Sequence, residues 1–180
     1  VGAHVSGVCF FFFHDAATTE TYPLPYPTLS DLAAGRKVAL SLSDSFCVER
    51  WRDEFLDLVE HQVDILFANE EEITSLYQID NFDAALKMVR GHCEIAALTR
   101  SEKGAVIVSG DQTHIVAAEP VGRVVDTTGA GDLFAAGFLH GLTHGFDLPA
   151  SGRPGALAAA AIISHFRPPP NGRAARRGRV

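Results

Sequence analysis

Three short apolar runs separated by amphipathic helical patterns constrain the fold of this chain more than any other feature. The runs are Val38–Leu42, Asp64–Asn69 and Ile95–Thr99. Strands that alternate with helices predict a parallel sheet, because parallel strands need a long crossover connection between them. The sequence therefore predicts an α/β fold with helices packed on a mostly parallel sheet. Apolar residues at three-to-four spacing mark the intervening helices at Val48, Trp51, Phe55, Leu58 and Val59, and at Phe82, Ala85, Leu86 and Val89.

Further elements flank this alternating region. The glutamates of Glu70–Glu72 predict a helix start, since acidic side chains are stabilised at the positive end of the helix dipole. Residues 105–109 and 113–118 predict a hairpin, because the residues between them leave no room for a helix. The alanine-rich stretch 155–166 predicts a last helix, and the apolar run Val8–Phe13 predicts a strand or the edge of a larger structure.

The charge of the chain is unevenly distributed. The 180 residues include 15 Lys and Arg against 22 Asp and Glu, a formal net charge of −7, which disfavours binding to the phosphates of nucleic acid. Five of the basic residues are arginines in the last fourteen positions, so ten basic and 22 acidic residues leave −12 on residues 1–166. The acidic body therefore predicts no nucleic-acid partner.

Composition also divides the chain and limits its location. Residues 1–35 form a divergent N-terminal segment in which alternate prolines indicate a loop, 36–166 carry the regular patterns, and 167–180 are a Pro- and Arg-rich tail predicted to be disordered. The run Val8–Phe13 is too short for a membrane span, which needs about 20 apolar residues. Three scattered cysteines do not form a disulfide framework, which fits a reducing compartment. We therefore expect a cytoplasmic protein without a membrane partner.

The stretch most informative about chemistry is Val124–Asp132, where a predicted strand feeds a turn of small residues that opens into a helix. Small residues allow backbone N–H groups to converge on an anion, and the helix N-terminus adds partial positive charge. Asp132, in the first turn, could then take a proton from a hydroxyl that attacks a phosphoryl group. The alternative is that Asp132 is only a favourable helix-start residue and that the glycines only shape the turn.

Other phosphate and metal motifs fit less well. The chain has no GxxxxGKS or GxxxxGKT motif, so a P-loop enzyme is not expected. The dinucleotide-binding GxGxxG pattern begins at Gly129 but meets Phe134 at its third glycine position, and no acidic residue ends a strand about 20 positions later. His140 and His144 are four residues apart on a predicted helix, but no third zinc ligand is offered nearby. An oxidoreductase and a zinc site are therefore the weaker alternatives.

The segment Asp126–Asp132 resembles the C-terminal signature of the ribokinase-like carbohydrate and nucleoside kinases, the PfkB family. The resemblance implies a three-layer α/β/α fold that is truncated on its N-terminal side. It also implies that Gly129, Ala130 and Gly131 form an anion hole. Asp132 would be the catalytic base that activates a substrate hydroxyl towards the γ-phosphate of ATP.

Two further motifs occur in the order typical of the family. Asn69 and Glu72, at a strand end, are similar to its NxxE element, which implies that they help to organise Mg²⁺ and phosphates through water. The alternative for this acidic run is a solvated helix start. The TxGxxG nucleotide loop of the family is matched at Thr99 and Gly104 and has Ser101 where glycine is usual. The resemblance implies that these three residues contact the nucleotide.

Two more features depend on the resemblance. Asp126 and Thr128 fall where some members of the family hold an activating monovalent cation such as K⁺. Ordinary turn capping is the alternative for both residues. The alanine-rich stretch 155–164 resembles the last helix of the family, which lies against the adenine.

The extent of the resemblance bears on the expected function. It covers 36–166, whereas members of the family are longer, and residues 1–35 reproduce neither their sugar-binding Gly-Gly segment nor their β-sheet lid. We expect ATP-dependent phosphoryl transfer to a hydroxyl of a sugar or nucleoside, with Mg²⁺ as the metal. The alternative is a non-catalytic kinase remnant that binds nucleotide at most.

Overall fold

The structure, a computed structural model, describes residues 3–5 and 8–12 by their backbone and residues 37–164 with their side chains. The described strands are β1 (Ala3–Val5), β2 (Val8–Phe12), β3 (Lys37–Ser41), β4 (Ile65–Asn69), β5 (Ile95–Thr99), β6 (Ala105–Ser109) and β7 (Gln112–Val116). The described helices are α1 (Ser45–Arg50), α2 (Arg52–His61), α3 (Glu70–Tyr77), α4 (Phe82–Val89), α5 (Ala130–Thr143) and α6 (Leu148–Ser164), with a short 3₁₀ turn at Ser101–Lys103. None of these helices is long and apolar enough to cross a membrane. The loop predicted within 1–35 and the tail predicted at 167–180 lie outside the described residues.

The strands form one sheet in which they follow chain order, from β1 to β7. The four strands β2 to β5 run parallel, β1 pairs antiparallel with β2, and β6 and β7 continue antiparallel from β5. The predicted parallel core and the predicted hairpin are both confirmed. Asn69 of β4 lies beside Thr99 of β5 in the ladder. The residues that follow these two therefore emerge side by side at the carboxyl edge of the sheet.

Helices cover both faces of the sheet and produce the three-layer arrangement. Because alternate residues of a strand point to opposite faces, Leu66 of β4 packs into the core shared with α1 to α4, which includes Leu76. Its neighbours Ile65 and Phe67 pack into the core shared with α5 and α6. The rings of Phe67 and the fully buried Phe138 meet edge to face there, with centroids 5.6 Å apart.

The prediction of a single amphipathic helix over Val48 to Val59 is wrong, because two shorter helices form there. Helices α1 and α2 meet at Trp51, whose backbone (φ −122°, ψ 36°) leaves the helical region. Trp51 is 43% exposed, and the Arg50 guanidinium lies 5.5 Å from the centroid of its ring. The break lets each short helix turn its own apolar side inwards, so that Val48 and Phe55 are buried while Trp51 stays outside.

The strand predicted at the start of Val124–Asp132 is also wrong. Val124 and Val125 are exposed, and no strand forms at this point of the described chain. The Val125 N–H donates instead to the carbonyl oxygen of Ile163 on α6, at 2.8 Å. Adjacent valines are typical of strands, but here they lie beside a helix and not along a sheet edge.

The last helix begins at Leu148 and not at Gly155. The carboxylate of Asp147 accepts a first-turn N–H at 2.8 Å and caps the start of the helix. Pro154 lies inside the helix, and a Cβ built on Gly155 would be 2.7 Å from the carbonyl oxygen of Phe134 on α5. Pro154 and Gly155 therefore belong to the close crossing of α5 and α6.

Candidate active site

Ten of the predicted site residues surround one cavity of about 940 Å³. The cavity lies at the carboxyl ends of β3, β4 and β5 and beside the start of α5, which is where open α/β sheets bind their ligands. These ten residues are Asn69, Glu72, Thr99, Ser101, Gly104, Thr128, Gly129, Ala130, Gly131 and Asp132. Asp126 is the predicted site residue that does not line the cavity. The fold thus brings three separate sequence motifs around one space.

Asn69 and Glu72 form a capping box at the start of α3. The Asn69 side-chain oxygen accepts the Glu72 N–H at 2.8 Å. In return, the Glu72 carboxylate accepts the Asn69 backbone N–H at 2.9 Å and its side-chain NH₂ at 2.7 Å. This arrangement satisfies N–H groups that a helix start would otherwise leave unpaired. The hydrogen bonds of the box would remain intact if an ion beside it were held through water.

Glu72 is a buried carboxyl group at the cavity, with 6% of its surface exposed. Burial is the main cause that raises the pKa of Glu72, to about 7, because a low-dielectric surrounding disfavours the charged form. The hydrogen bond from Asn69 opposes this shift of the pKa, whereas the negative charges of Asp44, Glu71 and Asp132 add to it. A cation at this end of the cavity would favour the ionised form of Glu72.

We expect Glu72 to make the protein less stable as the pH rises. A carboxyl group with a pKa of about 7 in the folded state and 4.5 in the unfolded state stabilises the fold fully below pH 4.5 and loses this contribution as the pH rises through 7. The free energy of unfolding of the wild type minus that of Glu72→Gln should fall by about 2 kcal/mol between roughly pH 5 and 8. Urea unfolding with metals chelated measures it. A flat difference would mean that folding does not raise this pKa.

The loop after β5 is a tight turn closed by backbone hydrogen bonds. The Arg100 N–H donates to the Gly104 carbonyl oxygen at 2.7 Å, and the Gly104 N–H donates to the Ser101 carbonyl oxygen at 3.1 Å. Ser101 and Gly104 both have a positive φ, 52° and 85°. Gly104 also lies against β7, where a Cβ built on it would be 2.0 Å from the Val116 carbonyl oxygen. Position 104 therefore requires glycine, while position 101 holds a serine in a conformation that glycine adopts at lower cost.

We expect Ser101→Gly to stabilise the protein. The left-handed conformation costs an L-residue roughly 1–2 kcal/mol, which glycine would avoid. Glycine also has more conformational freedom in the unfolded chain, and this cancels roughly 0.5–1 kcal/mol of the stabilisation. The net increase in the free energy of unfolding should be about 0.5–1 kcal/mol by urea titration. The matched control is Ser109→Gly at the end of β6, which should lower stability. A less stable Ser101→Gly protein would contradict the strain argument.

The glycine turn forms another wall of the cavity. Gly129 is the N-cap of α5 in the left-handed conformation (φ 77°), and it has no side chain to cap the N–H groups of the first turn. The Ala130 N–H donates to the Thr127 carbonyl oxygen at 3.1 Å, so this amide is used within the turn. A Cβ built on Gly131 would meet no atom within 4 Å, which leaves open space beside its backbone. Asp132 follows in the first turn, is exposed and lines the same cavity.

Asp126 and Thr128 form a capped turn just ahead of these glycines. One carboxylate oxygen of Asp126 accepts the Thr128 N–H at 2.9 Å, which is the turn-capping geometry expected of Asp. A role for either residue at a monovalent cation stays a prediction. Within the described ranges, no group of three or more His, Cys, Asp or Glu is placed to hold a metal ion. His140 and His144 lie side by side, with ring centroids 4.0 Å apart.

One side of the cavity is apolar. This part of the lining consists of Ala156, Ala159, Ala160 and Ile163 of α6, with Phe67 and Phe134. The capping box, the loop after β5 and the glycine turn supply polar groups to the other sides of the cavity. A ligand with a flat apolar part and a charged part matches such a surface, since small-molecule sites combine apolar walls with a few converging polar groups.

Residues 26–168 match the pfkB family carbohydrate kinases, which is most of the chain. The chain belongs to this family. Solved structures similar to it include a probable sugar kinase from Rhizobium etli, which is 51% identical with a TM-score of 0.74. The adenosine kinase from Sinorhizobium meliloti is 48% identical with a TM-score of 0.74. Each alignment covers 76% of this chain and 42% of the other.

Curated relatives lead to the same family. An uncharacterized sugar kinase of Archaeoglobus fulgidus is 40% identical over 103 residues, which are 57% of this chain and 40% of that protein. A nucleoside kinase of Methanocaldococcus jannaschii is 31% identical over 112 residues, which are 62% of this chain and 36% of that protein. The predicted family and the ribokinase-like α/β fold are thus confirmed. The pfkB-family chain spans about two fifths of the length of these relatives.

Two parts of the cavity lining in this pfkB-family chain are absent from the sequence predictions. Ser41 and Ser43, at the end of β3, and the segment 118–121, after β7, all line the cavity. Serine is common at strand ends, and the segment 118–121 carries no motif, so neither pattern distinguishes a site from a turn. Only the tertiary position of these residues reveals them.

Proposed function

We propose that this chain is the nucleotide-binding and catalytic part of a kinase that transfers the γ-phosphate of ATP to a hydroxyl group of a sugar or nucleoside. The observation that carries the proposal is the single cavity lined by the capping box, the loop after β5 and the glycine turn. Membership of the pfkB family supports it, as do the kinase names of the relatives. The small-molecule acceptor is proposed by analogy with those names.

The proposed roles follow from the position of each group. Asp132, exposed at the start of α5, takes the proton of the substrate hydroxyl as that oxygen attacks the phosphoryl group. The N–H groups of the first helical turn, with the partial positive charge of the helix end, stabilise negative charge on the transferred group. Gly129 and Gly131 leave that end of the helix uncovered by side chains. Thr99, Ser101 and Gly104, which line the same cavity, hold the nucleotide.

The residues present fit a nucleotide and a magnesium ion. A volume of about 940 Å³ is of the size that small-molecule sites have. Mg²⁺ retains several water molecules and binds through few carboxylates, which suits Asn69 and Glu72, because their polar atoms are engaged in the capping box. When bound, Mg²⁺ neutralises the phosphates. A K⁺ ion, if bound, would lie beside Asp126 and Thr128. The proposed location of the reaction is the cytoplasm.

The variant Gly131→Ala tests the proposal by separating fold from function. Alanine at a helical position stabilises a helix relative to glycine by roughly 1 kcal/mol, and its methyl group would meet no protein atom within 4 Å. It would, however, occupy the space in which the phosphates are proposed to bind. We expect a more stable protein that binds a non-hydrolysable ATP analogue with Mg²⁺ more weakly by calorimetry. Gly122→Ala, which also meets no atom, is the control and should bind as the wild type does.

The second candidate is a remnant that binds nucleotide without catalysis. The observation that favours it is the lining of the cavity, where the capping box, the loop after β5 and the glycine turn are assigned to the nucleotide and its phosphates and only Asp132 is assigned to the acceptor. Titration with Mg²⁺ and the ATP analogue, followed by assays with sugars and nucleosides, separates the candidates. Binding without product formation supports the remnant, and steady product formation supports the kinase. Preferential binding of NAD over ATP would contradict both.

A further inference from the structure

Two motifs of the candidate site are joined by an ion pair between the second residue of each, Glu70 and Arg100. Asn69 and Thr99 are neighbours in the β4–β5 ladder. Glu70 and Arg100 come next in the chain. The pairing of the two strands therefore places their side chains side by side at the carboxyl edge of the sheet. Glu70 is the first residue of α3, and Arg100 comes directly before the 3₁₀ turn of the loop that ends at Gly104.

The geometry of the pair is specific. The Arg100 guanidinium donates through Nε to Glu70 Oε2 at 3.0 Å and through a terminal nitrogen to Glu70 Oε1 at 2.9 Å. The central carbon of the guanidinium, Cζ, lies 3.9 Å from the centroid of the Phe82 ring. Phe82 is the buried first residue of α4. Lys103 Nζ lies 4.0 Å from the same carboxylate. A planar fork stacked on an aromatic ring is a geometry that arginine provides and lysine does not.

Arg100 also closes the loop with its own backbone. Its N–H donates to the Gly104 carbonyl oxygen at 2.7 Å, and its carbonyl oxygen accepts the Lys103 N–H at 3.0 Å. The backbone of Arg100 therefore holds the start of the loop to its end at Lys103 and Gly104. Holding the Arg100 side chain against Glu70 and Phe82 fixes the whole loop relative to α3.

An ion pair of this exposure contributes little to overall stability. The side chains of Arg100 and Glu70 are 22% and 37% exposed, and exposed ion pairs typically contribute about 0–1 kcal/mol. The hydrogen bond from Arg100 is the main cause that lowers the pKa of Glu70, so the carboxylate stays charged at neutral pH. The effect of the pair should therefore appear in the position of the loop and not in the stability of the fold.

We propose that Glu70 and Arg100 are positioning residues that hold the nucleotide loop, Thr99–Gly104, at a fixed distance from the Asn69–Glu72 capping box. The pair keeps the two polar walls of the cavity in the spacing that bound phosphates require. This inference rests on the proposed function for its consequence, but the positioning itself is measurable without a nucleotide.

Hydrogen exchange of the complete chain tests the positioning directly. In Glu70→Gln, the amides of Lys103 and Gly104 should exchange at least about fivefold faster than in the wild type, while amides of β4 and β5 should be unchanged. Glu94→Gln is the matched control, since it breaks the exposed pair with Lys37 at the opposite edge of the sheet. Arg100→Lys should give an intermediate rate, because it keeps the charge but loses the fork.

Nucleotide binding gives the second readout. Glu70→Gln and Arg100→Gln should each weaken binding of the ATP analogue with Mg²⁺ by about 3- to 10-fold, and the double variant no more than either, as for two partners in one interaction. Unchanged loop exchange in Glu70→Gln would overturn the inference. Faster exchange throughout β4 and β5, with a lower Tm, would overturn it as well, because the pair would then be merely structural. Faster loop exchange in a chain that binds no nucleotide would support the positioning and contradict only the proposed function.

Discussion

Replacing Asp132 with Asn should lower phosphoryl transfer by a factor of about 10²–10⁴, the usual contribution of a positioned general base. Asparagine has nearly the same shape as aspartate and suits the start of a helix, but it cannot take a proton from a substrate hydroxyl. Asp132 lies in the first turn of α5 and lines the cavity. The fold and the nucleotide affinity should therefore change little while turnover is lost.

The measurement is steady-state turnover with ATP, Mg²⁺ and a panel of sugars and nucleosides, alongside calorimetric binding of the ATP analogue. Because the chain spans 42% of the Rhizobium etli relative, the assay is also made on a chimera in which residues 37–164 replace the matching part of that protein. Asp53→Asn is the matched control, since Asp53 is also in the first turn of a helix but lies away from the cavity. Turnover of Asp132→Asn within a factor of three of the wild type would show that another group is the base.

The same variant has a consequence for Glu72. The negative charge of Asp132 is one of the causes that raise the pKa of the Glu72 carboxyl group. Removing this charge should lower that pKa, so that the fall in stability becomes smaller and ends at a lower pH. Urea unfolding of Asp132→Asn across the same pH range measures the shift, which connects the two carboxyl groups without any substrate.

The motifs that the sequence predicted best are those whose geometry is local. The three glutamates that follow Asn69 predicted the helix start at Glu70, and the structure closes this start with a capping box between Asn69 and Glu72, three residues apart. The hairpin of β6 and β7 followed in the same way from the short connection at Gly110. In both cases the hydrogen bonds that decide the structure join residues close in the chain.

The errors arose where distant residues decide the structure. Val124 and Val125 have strand-like side chains, yet their neighbour is α6. Pro154 and Gly155 look like a boundary but belong to a helix crossing that depends on α5. The Glu70–Arg100 pair could not be predicted from spacing, because it depends on the register of β4 against β5.

Replacing Gly104 with Ala should cause the largest loss of stability among the glycines of the site. The residue combines φ 85° and ψ −135° with a position at which a Cβ would be 2.0 Å from the Val116 carbonyl oxygen and 2.8 Å from the Ala118 nitrogen. Strained backbone costs roughly 1–3 kcal/mol and overpacking typically another 1–3 kcal/mol. We expect the free energy of unfolding to fall by about 2–6 kcal/mol in total.

Two other glycines separate the contributions to this loss. Gly110 has a positive φ of 53° but no atom near its Cβ position. The cost of the left-handed conformation, less the freedom that glycine has in the unfolded chain, gives about 0.5–1 kcal/mol for Gly110→Ala. Gly122 has neither constraint, and Gly122→Ala should stay within about 0.5 kcal/mol of the wild type. Urea unfolding of the three variants gives the ranking, and a Gly104→Ala protein no weaker than Gly110→Ala would contradict it. Because the clash would push the loop away from the end of β7, where 118–121 line the cavity, Gly104→Ala should also lose binding of the ATP analogue, whereas Gly110→Ala should keep it.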